Sequence, residues 1–297
     1  MKIIVTGLPY FGRKMSALLN EADAGNDYIF LNTYYSNFDR LRFLWHILFT
    51  KTVYSINGAT GKSFVLSLAI KFKKRVVFHW VGSDLVLAKE EIKNNTADKR
   101  FIDYPIHLTD SPWYVRDLSE IGINAKYLPL LSGDKVPDIV SFPCEFNVLA
   151  YIPQDDQEFY GISTIIELAK IFPEINFNIA GSSEFSGELP LNIKLLGWIK
   201  DMKPVFENTV ISIRFPKHDG LSFFVLESLL YSRYVVYNYP IDNSILAKNI
   251  EEIKSGLTEL LDKFKSGKLE LNIKGRDFVI REFSKENINK LAKILTE

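Results

Sequence analysis

Short apolar runs rich in Val, Ile, Tyr and Phe alternate with helix-period segments along nearly the whole chain. Such runs are typical of strands buried on both faces, and their alternation with helices is typical of a parallel sheet covered by helices. The pattern runs through the first half, stops, and starts again. The sequence therefore predicts an α/β protein of two doubly wound domains. The predicted strands read KIIVTG, YIFLN, TVYSI, RVVFHW, IHLTD and AKYLPL in the first half, and NVLAYI, NFNIAG, IKLLG, TVISIRF and YVVYNY in the second.

The interruption, LSGDKVPDIVSFPCEF, mixes Gly, Pro and charged residues without periodicity. Such composition is typical of a linker, so we expect the domain boundary near residues 132–146. We expect a first domain over 1–140, a second over 141–280, and a C-terminal helix over 281–297 that packs at the domain junction and crosses back to the first domain. The apolar stripe of that helix consists of Ile288, Leu291, Ile294 and Leu295.

Composition argues against several classes of protein. Lys and Arg number 36, as do Asp and Glu, so the formal net charge is zero and no global positive field favours nucleic acid. The single cysteine, Cys144, allows no internal disulfide, and no cluster of Cys and His suggests a zinc site. The N-terminal MKIIVTG is a short β-like run unlike a signal peptide. We expect a cytoplasmic protein with no nucleic-acid partner.

The apolar stretch LRFLWHILF, from Leu41 to Phe49, is far shorter than the roughly 20 residues that span a bilayer. We expect it to form a helix of the protein core. The alternative is a helix that lies against a membrane surface or a partner. In that case the protein would associate peripherally with the inner face of the membrane.

The stretch YSINGATGKSFVLSLAIKF, from Tyr54 to Phe72, looks like a strand, a glycine-rich loop and a helix. A phosphate-binding P-loop has its first Gly five residues before the Gly that precedes its Lys. Here that position is Ile56, and Gly58 would make the loop two residues too short. We therefore interpret the segment as a βα turn punctuated by Gly58 and Gly61.

Two carboxylates mark the stretch RFPKHDGLSFFVLESLLYSRYVVY, from Arg214 to Tyr237. Asp219 lies in a loop before a strongly apolar helix, and Glu227 lies about one and a half turns into that helix. Glu is rarely fully buried unless its carboxylate is paired, and a ligand hydroxyl is one possible partner. In the alternative interpretation, Glu227 shares a narrow polar stripe with Ser228 and Tyr231 and faces water.

The order Asp-Gly-Leu-Ser, four further residues, then Glu-Ser-Leu resembles the Glu-x7-Glu signature of retaining glycosyltransferases of the GT-B fold, family-four (group 1) type. That fold has two Rossmann-like domains facing a central cleft. The resemblance implies that Glu227 holds the ribose hydroxyls of a nucleotide donor and that Asp219 contacts the transferred sugar. It also implies that the backbone N–H groups of Gly220 and Leu221, followed by Ser222, lie at the donor diphosphate, as expected at a helix N-terminus.

Two further stretches resemble the family's donor domain. NVLAYIPQDDQEFYGISTIIELAKIFPEINFNIAGSS is similar to its first βαβ unit, which contains Tyr160 and ends in the turn at Gly181. IKLLGWIKDMKPVF occupies the place of the loop that borders the nucleotide base and contains Trp198. The resemblance therefore implies that Tyr160, Gly181 and Trp198 belong to the donor site.

The first half carries two weaker similarities. VTGLPYFGRK resembles the family's glycine loop that lines the cleft, and FHWVGSD resembles a strand-end segment of the acceptor domain. The residues implied on the acceptor side are Gly12, Arg13, His79 and Asp84.

The loop after the first donor-domain strand departs from the family pattern. The family usually places an Arg and a Lys there to neutralise the diphosphate, whereas this loop reads PQDDQEFYG, with three carboxylates and no basic residue. We expect cationic residues just before Asp219 to supply the missing charge, since charge-assisted contacts to phosphate are strong. The predicted catalytic set is Arg214, Lys217, His218 and Asp219.

The resemblance implies a metal-independent enzyme that transfers a hexosyl-type sugar from a nucleotide-sugar to a glycan, lipid-linked or other acceptor with retention of anomeric configuration. It would act in polysaccharide or glycoconjugate biosynthesis and need no cofactor, since the nucleotide-sugar is a substrate. The missing basic pair keeps open a catalytically inactive scaffold that binds a nucleotide, a glycan or a partner subunit. A nucleotide-sugar epimerase on the same scaffold is a third alternative.

Overall fold

The computed structural model describes residues 1–130 and 136–297. The chain forms two compact units: unit 1 comprises Met1–Leu131 together with Phe283–Glu297, and unit 2 comprises Ser132–Glu282. Each unit is built on a six-stranded parallel sheet, which confirms the predicted α/β class with two doubly wound sheets. The predicted boundary region begins inside residues 131–135, which lie outside the described residues.

The sheet of unit 1 has the strand order β2-β1-β3-β4-β5-β6. The chain leaves β1 for β2 on one side and then returns to β3 on the other, so the strand order reverses between β1 and β3. The strands are β1 (Lys2–Gly7), β2 (Asp27–Phe30), β3 (Thr50–Ile56), β4 (Arg75–Trp80), β5 (Ile106–Thr109) and β6 (Ala125–Tyr127). The helices are α1 (Pro9–Ala22), α2 (Asn37–His46), α3 (Phe64–Lys71), α4 (Ser83–Lys93), α5 (Lys99–Asp103) and α6 (Pro112–Ser119), and a 3₁₀ turn (Ile47–Phe49) follows α2.

The sheet of unit 2 has the strand order β12-β11-β10-β7-β8-β9, and the reversal lies between β7 and β10. All five strands predicted for the second half are present, and the two-residue β12 was not predicted. The strands are β7 (Asn147–Tyr151), β8 (Asn176–Ala180), β9 (Ile193–Gly197), β10 (Ile211–Arg214), β11 (Tyr234–Tyr237) and β12 (Ile245–Leu246). The helices are α7 (Ile162–Ile171), α8 (Lys203–Glu207), α9 (Phe223–Leu230), α10 (Ile250–Lys265) and α11 (Ile273–Glu282).

The last helix, α12 (Glu286–Thr296), belongs to unit 1 and packs on α1 and β3. Its predicted stripe buries Ile288, Leu291 and Leu295. Each fully buried side chain of this size contributes about 1.5–3 kcal/mol. The hydroxyl of Thr52 on β3 also donates a hydrogen bond to the carbonyl of Leu295 at 2.9 Å. This helix therefore completes the core of unit 1.

The apolar stretch predicted as a core helix does form a helix, but most of its side chains face solvent. Only Phe43 and Ile47 are buried, whereas Trp45 is 66% exposed and Phe49 is 61% exposed. The prediction of a core element was therefore wrong for most of the stretch. Because the sequence is apolar on nearly every face, its periodicity does not identify which face is covered.

No helix among the described residues combines the length and the apolar character needed to cross a bilayer.

Candidate functional site

The sheet of unit 2 reverses its strand order between β7 and β10, and the carboxyl ends of these strands carry a polar cluster. In open α/β sheets, ligands bind outside the carboxyl ends of the strands at such a reversal. Ile213 pairs with Ala150, so Arg214 at the end of β10 lies beside Tyr151 at the end of β7. Nη1 of Arg214 donates to the carbonyl of Tyr151 at 3.0 Å. The guanidinium thus bridges the two strand ends.

Arg214 and Asp219 form a two-pronged ion pair. Nε of Arg214 lies 2.8 Å from Oδ2 of Asp219, and Nη2 lies 3.3 Å from Oδ1. The side chains are only 8% and 14% exposed, a geometry in which charge-assisted hydrogen bonds are strong. Burial favours the neutral form of Arg214, but the charge and hydrogen bonds of Asp219 outweigh it and raise the pKa of the guanidinium. The pair fixes the position of the Asp219 carboxylate.

Tyr160, a predicted donor-site residue, lies against this pair. Its ring centroid is 4.8 Å from the guanidinium carbon of Arg214, within the range of a cation–π interaction. Burial is the main cause that raises the pKa of Tyr160. The structure therefore brings together Tyr160, Arg214 and Asp219, which the sequence had placed in the donor site and the catalytic set.

Two tyrosines of the β11 end hold the turn that contains Asp219, and the sequence analysis missed both. The backbone N–H of Asp219 donates to the hydroxyl of Tyr239 at 3.1 Å, and the hydroxyl of Tyr237 donates to the carbonyl of Gly220 at 2.8 Å. Tyr237 pairs with Arg214 in the parallel sheet. The sequence did contain a signal for them, because the predicted strand YVVYNY ends at the same edge of the parallel sheet as the strand that precedes Asp219.

Asn238, between these tyrosines, was also missed. Its Nδ2 donates to the carbonyl of Pro216 at 2.6 Å. Its Oδ1 is buried without a hydrogen-bond partner in the described part of the chain. A buried acceptor without a donor costs about 1–3 kcal/mol, so this oxygen lowers the stability of the turn around Pro216.

Glu227 lies one turn into α9 and is half-buried among buried apolar neighbours. Ser228 is fully buried, and its hydroxyl donates to Ser212 at 2.8 Å, so it does not share a water-facing stripe with Glu227. Burial first, and nearby carboxylates that include Glu227, raise the pKa of Tyr231. The stripe interpretation is therefore excluded for Ser228, and Glu227 is the acidic side chain that α9 presents.

The remaining predicted residues of this loop lie close by in the chain but differ in exposure. Lys217 is exposed, and its backbone N–H donates to the carbonyl of Phe159 at 2.8 Å. His218 is half-buried. Leu221 and Ser222 are buried where the loop enters α9. Among the described residues of this loop, Lys217 is an exposed cation, whereas Arg214 is held by Asp219.

The carboxylate loop between β7 and α7 is held by polar contacts of its own. Asp155 and Asp156 are exposed, and Glu158 accepts from Ser163 at 2.8 Å. Nε2 of Gln157 donates to the hydroxyl of Ser182 at 2.9 Å. The carboxylates of this loop are therefore directed to solvent or to α7.

Two predicted donor residues directly follow β8 and β9, on the side of β7 away from β10. Gly181 has φ +98°, and a Cβ there would lie 2.6 Å from the carbonyl of Ile152, so only glycine fits this close approach. Trp198 follows β9 and is 76% exposed. Three strand spacings separate β9 from β10, about 14 Å. The structure does not bring Trp198 to the Arg214–Asp219 pair, and its contact with a base stays a prediction.

In unit 1, a cavity of about 510 Å³ lies at the corresponding strand-order reversal, between β1 and β3. Thr6 and Ser55 approach it from the two strand ends. The NGATGKS loop, which the sequence analysis interpreted as a βα turn, forms one wall. Other lining residues are Tyr34, Arg40, Phe64, Asp84, Leu87 and Glu91.

Asp84, a predicted acceptor-side residue, lines this cavity, and its carboxylate accepts hydrogen bonds from four backbone N–H groups. Its carboxylate accepts from Gly58 at 2.7 Å, Gly82 at 2.8 Å, Leu85 at 3.0 Å and Val81 at 3.1 Å. Burial raises its pKa even though these hydrogen bonds act in the opposite direction. A P-loop uses its backbone amides for phosphate, whereas the Gly58 amide of the NGATGKS loop binds a carboxylate. The geometry supports the βα-turn interpretation.

Hydrogen-bonded pairs of side chains form the polar wall of the cavity. Nδ2 of Asn57 donates to the hydroxyl of Tyr34 at 2.7 Å, and the hydroxyl of Thr60 donates to Glu91 at 2.5 Å. Asn57 has φ +140°, a conformation that is strained for a residue with a Cβ. Strained residues of this kind concentrate at ligand sites, so the wall is a candidate binding surface.

Gly12 and Arg13 do not form a glycine loop. Both lie inside α1, where a Cβ on Gly12 would be 2.2 Å from the ring of Phe30, and Arg13 is exposed with its guanidinium 5.9 Å from the same ring. The glycine of the turn is Gly7, with φ +103° and an ideal Cβ 2.1 Å from the carbonyl of Ile56. The prediction chose the wrong glycine because Gly12 serves helix packing.

His79 was also placed on the acceptor side, and the structure corrects this. The imidazole is fully buried and is not among the cavity-lining residues. Its Nε2 donates to the carbonyl of Leu128 at 2.9 Å, and its Nδ1 accepts from the hydroxyl of Tyr54 at 2.8 Å. Burial lowers the pKa of His79 to about 4. The histidine is therefore a neutral core residue.

No family model matches the sequence, and no curated protein matches it. Solved structures do match. Sucrose-phosphate synthase from Thermosynechococcus elongatus is similar with a TM-score of 0.76 and 10% identity over 99% of this chain and 98% of that one. The chain has the GT-B fold. WaaG, a glycosyltransferase involved in lipopolysaccharide biosynthesis, is similar with a TM-score of 0.58 and 10% identity over 100% of both chains.

A third similar structure is the pneumococcal O-GlcNAc transferase GtfA in complex with UDP and GlcNAc. The TM-score is 0.60 with 14% identity, over 86% of this chain and 59% of GtfA. At these identities the likeness shows the fold, which the sequence analysis predicted.

Proposed function

We propose that the chain is a glycosyltransferase that transfers a sugar from a nucleotide-sugar to an acceptor with retention at the anomeric carbon. The observation that carries this proposal is the Asp219 carboxylate, fixed by Arg214 at the strand-order reversal of unit 2, with Glu227 on the helix that follows. The GT-B fold of sucrose-phosphate synthase and WaaG supports it.

The proposed donor contacts divide by element. Glu227 on α9 binds the ribose hydroxyls, and Asp219 binds hydroxyls of the transferred sugar. The backbone N–H groups of Gly220 and Leu221 point to the diphosphate, and Lys217 adds a positive charge. Arg214 holds Asp219 and does not contact phosphate. Because GtfA was solved with UDP and GlcNAc, UDP-sugars are the first donors to test.

The proposed reaction depends on stabilising the leaving group. The acceptor hydroxyl forms the new bond to the anomeric carbon as the bond to the diphosphate breaks, and its proton passes to the released phosphate oxygen. Charge develops on that oxygen, where Lys217 and the backbone N–H groups before α9 are placed to stabilise it. We propose that no metal and no cofactor take part and that the nucleotide-sugar is a substrate.

The proposed acceptor site is the cavity of unit 1. Its wall combines amide and hydroxyl groups with exposed apolar side chains at Phe64 and Leu87. Such a mixture suits a glycan hydroxyl attached to an apolar carrier, and we propose a glycan or lipid-linked acceptor and a peripheral association with a membrane.

A screen of nucleotide-sugars tests the proposed function. We expect slow hydrolysis of one donor, together with a rise in Tm when that donor is added. The anomeric configuration of the product, read by NMR, tests retention. A rise in Tm without any turnover in the presence of candidate acceptors would contradict the enzyme and support a binding scaffold.

A further inference from the structure

The outer surface of α2 and the 3₁₀ turn after it is strongly apolar. At 100° per residue, the exposed side chains fall on the side opposite the two buried ones, Phe43 and Ile47. Phe38 is 70% exposed and Leu41 is 64% exposed. We name this surface the α2 face. It consists of Phe38, Leu41, Leu44, Trp45, Leu48 and Phe49.

Cationic side chains surround the α2 face. Arg40 is exposed and donates to the carbonyls of Thr33 and Tyr34, which fixes its guanidinium at the helix edge. Arg42 forms a 2.9 Å ion pair with Asp39, the acidic residue of α2, and Lys51 is exposed just after the turn. Lys2 and Asp27, both exposed, also act electrostatically on His46 of α2, so four cations against two carboxylates make the rim positively charged.

We propose that the α2 face docks on the surface of an anionic phospholipid bilayer. A helix with Trp, Phe and Leu on one side and Arg or Lys at its rim is typical of helices that lie in the membrane interface. With the turn, α2 is about 20 Å long, enough to lie in the interface plane but too short to cross it.

The positive rim favours lipid over a second copy of the chain. In a twofold dimer through the α2 face, the same patch of each copy would face the other, so the rim with Arg40, Arg42 and Lys51 would lie against the equally positive rim of the partner. Like charges brought together at an interface oppose association. An anionic bilayer instead offers a complementary charge, worth about 1 kcal/mol for each Lys or Arg near the surface.

Docking would place the acceptor cavity beside the lipid headgroups. Tyr34 and Arg40 line that cavity and also border the α2 face. Phe64 and Leu87 line it too and are exposed. The acceptor would then be a membrane-anchored molecule whose hydroxyl enters the cavity from the interface. This statement about the acceptor rests on the proposed glycosyl transfer, whereas the docking itself does not.

Vesicle flotation with the full chain tests the docking. Vesicles of phosphatidylcholine and phosphatidylglycerol should bind the protein, and binding should weaken in high salt. The triple substitution Leu41→Ser, Trp45→Ser and Phe49→Ser should lower the partition coefficient at least about a hundredfold, because three large apolar side chains no longer enter the interface. The matched control, Ile139→Ser with Leu191→Ser, replaces exposed apolar side chains of unit 2 and should bind as the wild type does.

A second pair of variants tests the charge. Arg42→Gln with Lys51→Gln should reduce the preference for phosphatidylglycerol vesicles about tenfold or more. Lys194→Gln with Lys268→Gln removes the same charge from exposed positions of unit 2 and should leave that preference unchanged. Circular dichroism and thermal unfolding of all four variants check that they fold.

Three outcomes would overturn the proposal. The first is a wild-type chain that does not float with anionic vesicles. The second is a wild-type dimer in sedimentation velocity that the triple serine variant converts to monomer. The third is an equal loss of binding in the control variants. Because flotation needs neither donor nor acceptor, a failure here leaves the donor-binding tests of the proposed function standing, and their failure leaves the docking standing.

Discussion

The guanidinium of Arg214 holds the carboxylate of Asp219 through two hydrogen bonds, across the loop that joins β10 to α9. A third hydrogen bond ties Arg214 to the carbonyl of Tyr151 on the neighbouring strand. Because three of its five N–H donors are used inside the protein and its side chain is only 8% exposed, we propose that Arg214 is a positioning residue for Asp219. This changes the role that the sequence analysis gave it as a substitute phosphate ligand.

Arg214→Lys separates the two roles. Lysine keeps the charge but loses the planar fork, so the Asp219 carboxylate should lose its fixed position. We expect the turnover of the donor to fall at least about tenfold while the affinity for the free nucleoside diphosphate stays within about twofold. Calorimetric titration with the nucleotide and steady-state rates provide the two readouts. An equal loss of nucleotide affinity would show that Arg214 contacts phosphate.

Neutralising Glu227 should mainly lower the affinity for the nucleotide, whereas neutralising Asp219 should mainly lower the turnover of the nucleotide-sugar. Glu227→Gln should weaken binding of both the free nucleotide and the nucleotide-sugar, because its proposed partner is the ribose. Asp219→Asn should leave nucleotide binding nearly intact and reduce turnover, because its proposed partner is the transferred sugar. Each lost charged hydrogen bond should cost roughly 1.5–3 kcal/mol.

The same titrations and rate measurements check both carboxylate variants. Equal losses of nucleotide affinity would show that the roles are not divided between the two residues. Wild-type behaviour in both variants would remove the main support for a glycosyltransferase.

Lys62 tests whether the NGATGKS loop binds phosphate. The amide of Gly58 already binds the Asp84 carboxylate, which would repel a phosphate there. Lys62→Ala should therefore leave nucleotide-sugar affinity within about twofold. The matched variant Lys217→Ala should weaken it about tenfold, since Lys217 is the proposed diphosphate cation. ATP hydrolysis that disappears in Lys62→Ala would revive the P-loop interpretation.

His79 should make the free energy of unfolding depend on pH. Its pKa is about 4 in the folded protein against 6.5 for an ordinary imidazole, so between these values the unfolded chain binds a proton that the folded chain does not. Stability is therefore lost as the pH falls from 6.5 to 4, by about 3 kcal/mol from this group.

Urea unfolding of the wild type and of His79→Gln over that pH range measures the contribution. The variant cannot take up the proton, so its stability should fall less steeply by about 3 kcal/mol across the window. His46→Gln is the control, because His46 is only half-buried and should change the slope much less. Parallel pH curves for wild type and His79→Gln would contradict the neutral core histidine.

The central strands β1, β3, β4, β7 and β10 were predictable because they are short apolar runs buried along nearly their whole length. The faces of α2 were not, since apolar residues surround that helix and only the tertiary fold selects Phe43 and Ile47 for burial. Gly7 was overlooked because its positive φ arises from the close approach of β3, which the local sequence does not reveal. Long-range contacts of this kind lie outside any local pattern.

In the candidate site too, features that depend on local sequence were predicted and features that depend on long-range contacts were not. Asp219 and Glu227 were predicted from the order of residues that resembles the Glu-x7-Glu signature, and their contacts with a donor stay a prediction. Tyr239 was not, because its contact with Asp219 depends on β11 lying next to β10 in the sheet. The ion pair between Arg214 and Asp219 was not predicted either, since both residues were predicted to contact a ligand.

Because α12 belongs to unit 1, that unit cannot complete its fold until the whole of unit 2 has been synthesised. Residues 1–131 leave the ribosome first, yet the groove on α1 and β3 is covered only when Leu291 and Leu295 emerge. At typical translation rates the intervening unit takes on the order of ten seconds to synthesise. The apolar surface of α1 and β3 that α12 covers in the folded protein therefore stays uncovered while unit 2 is made.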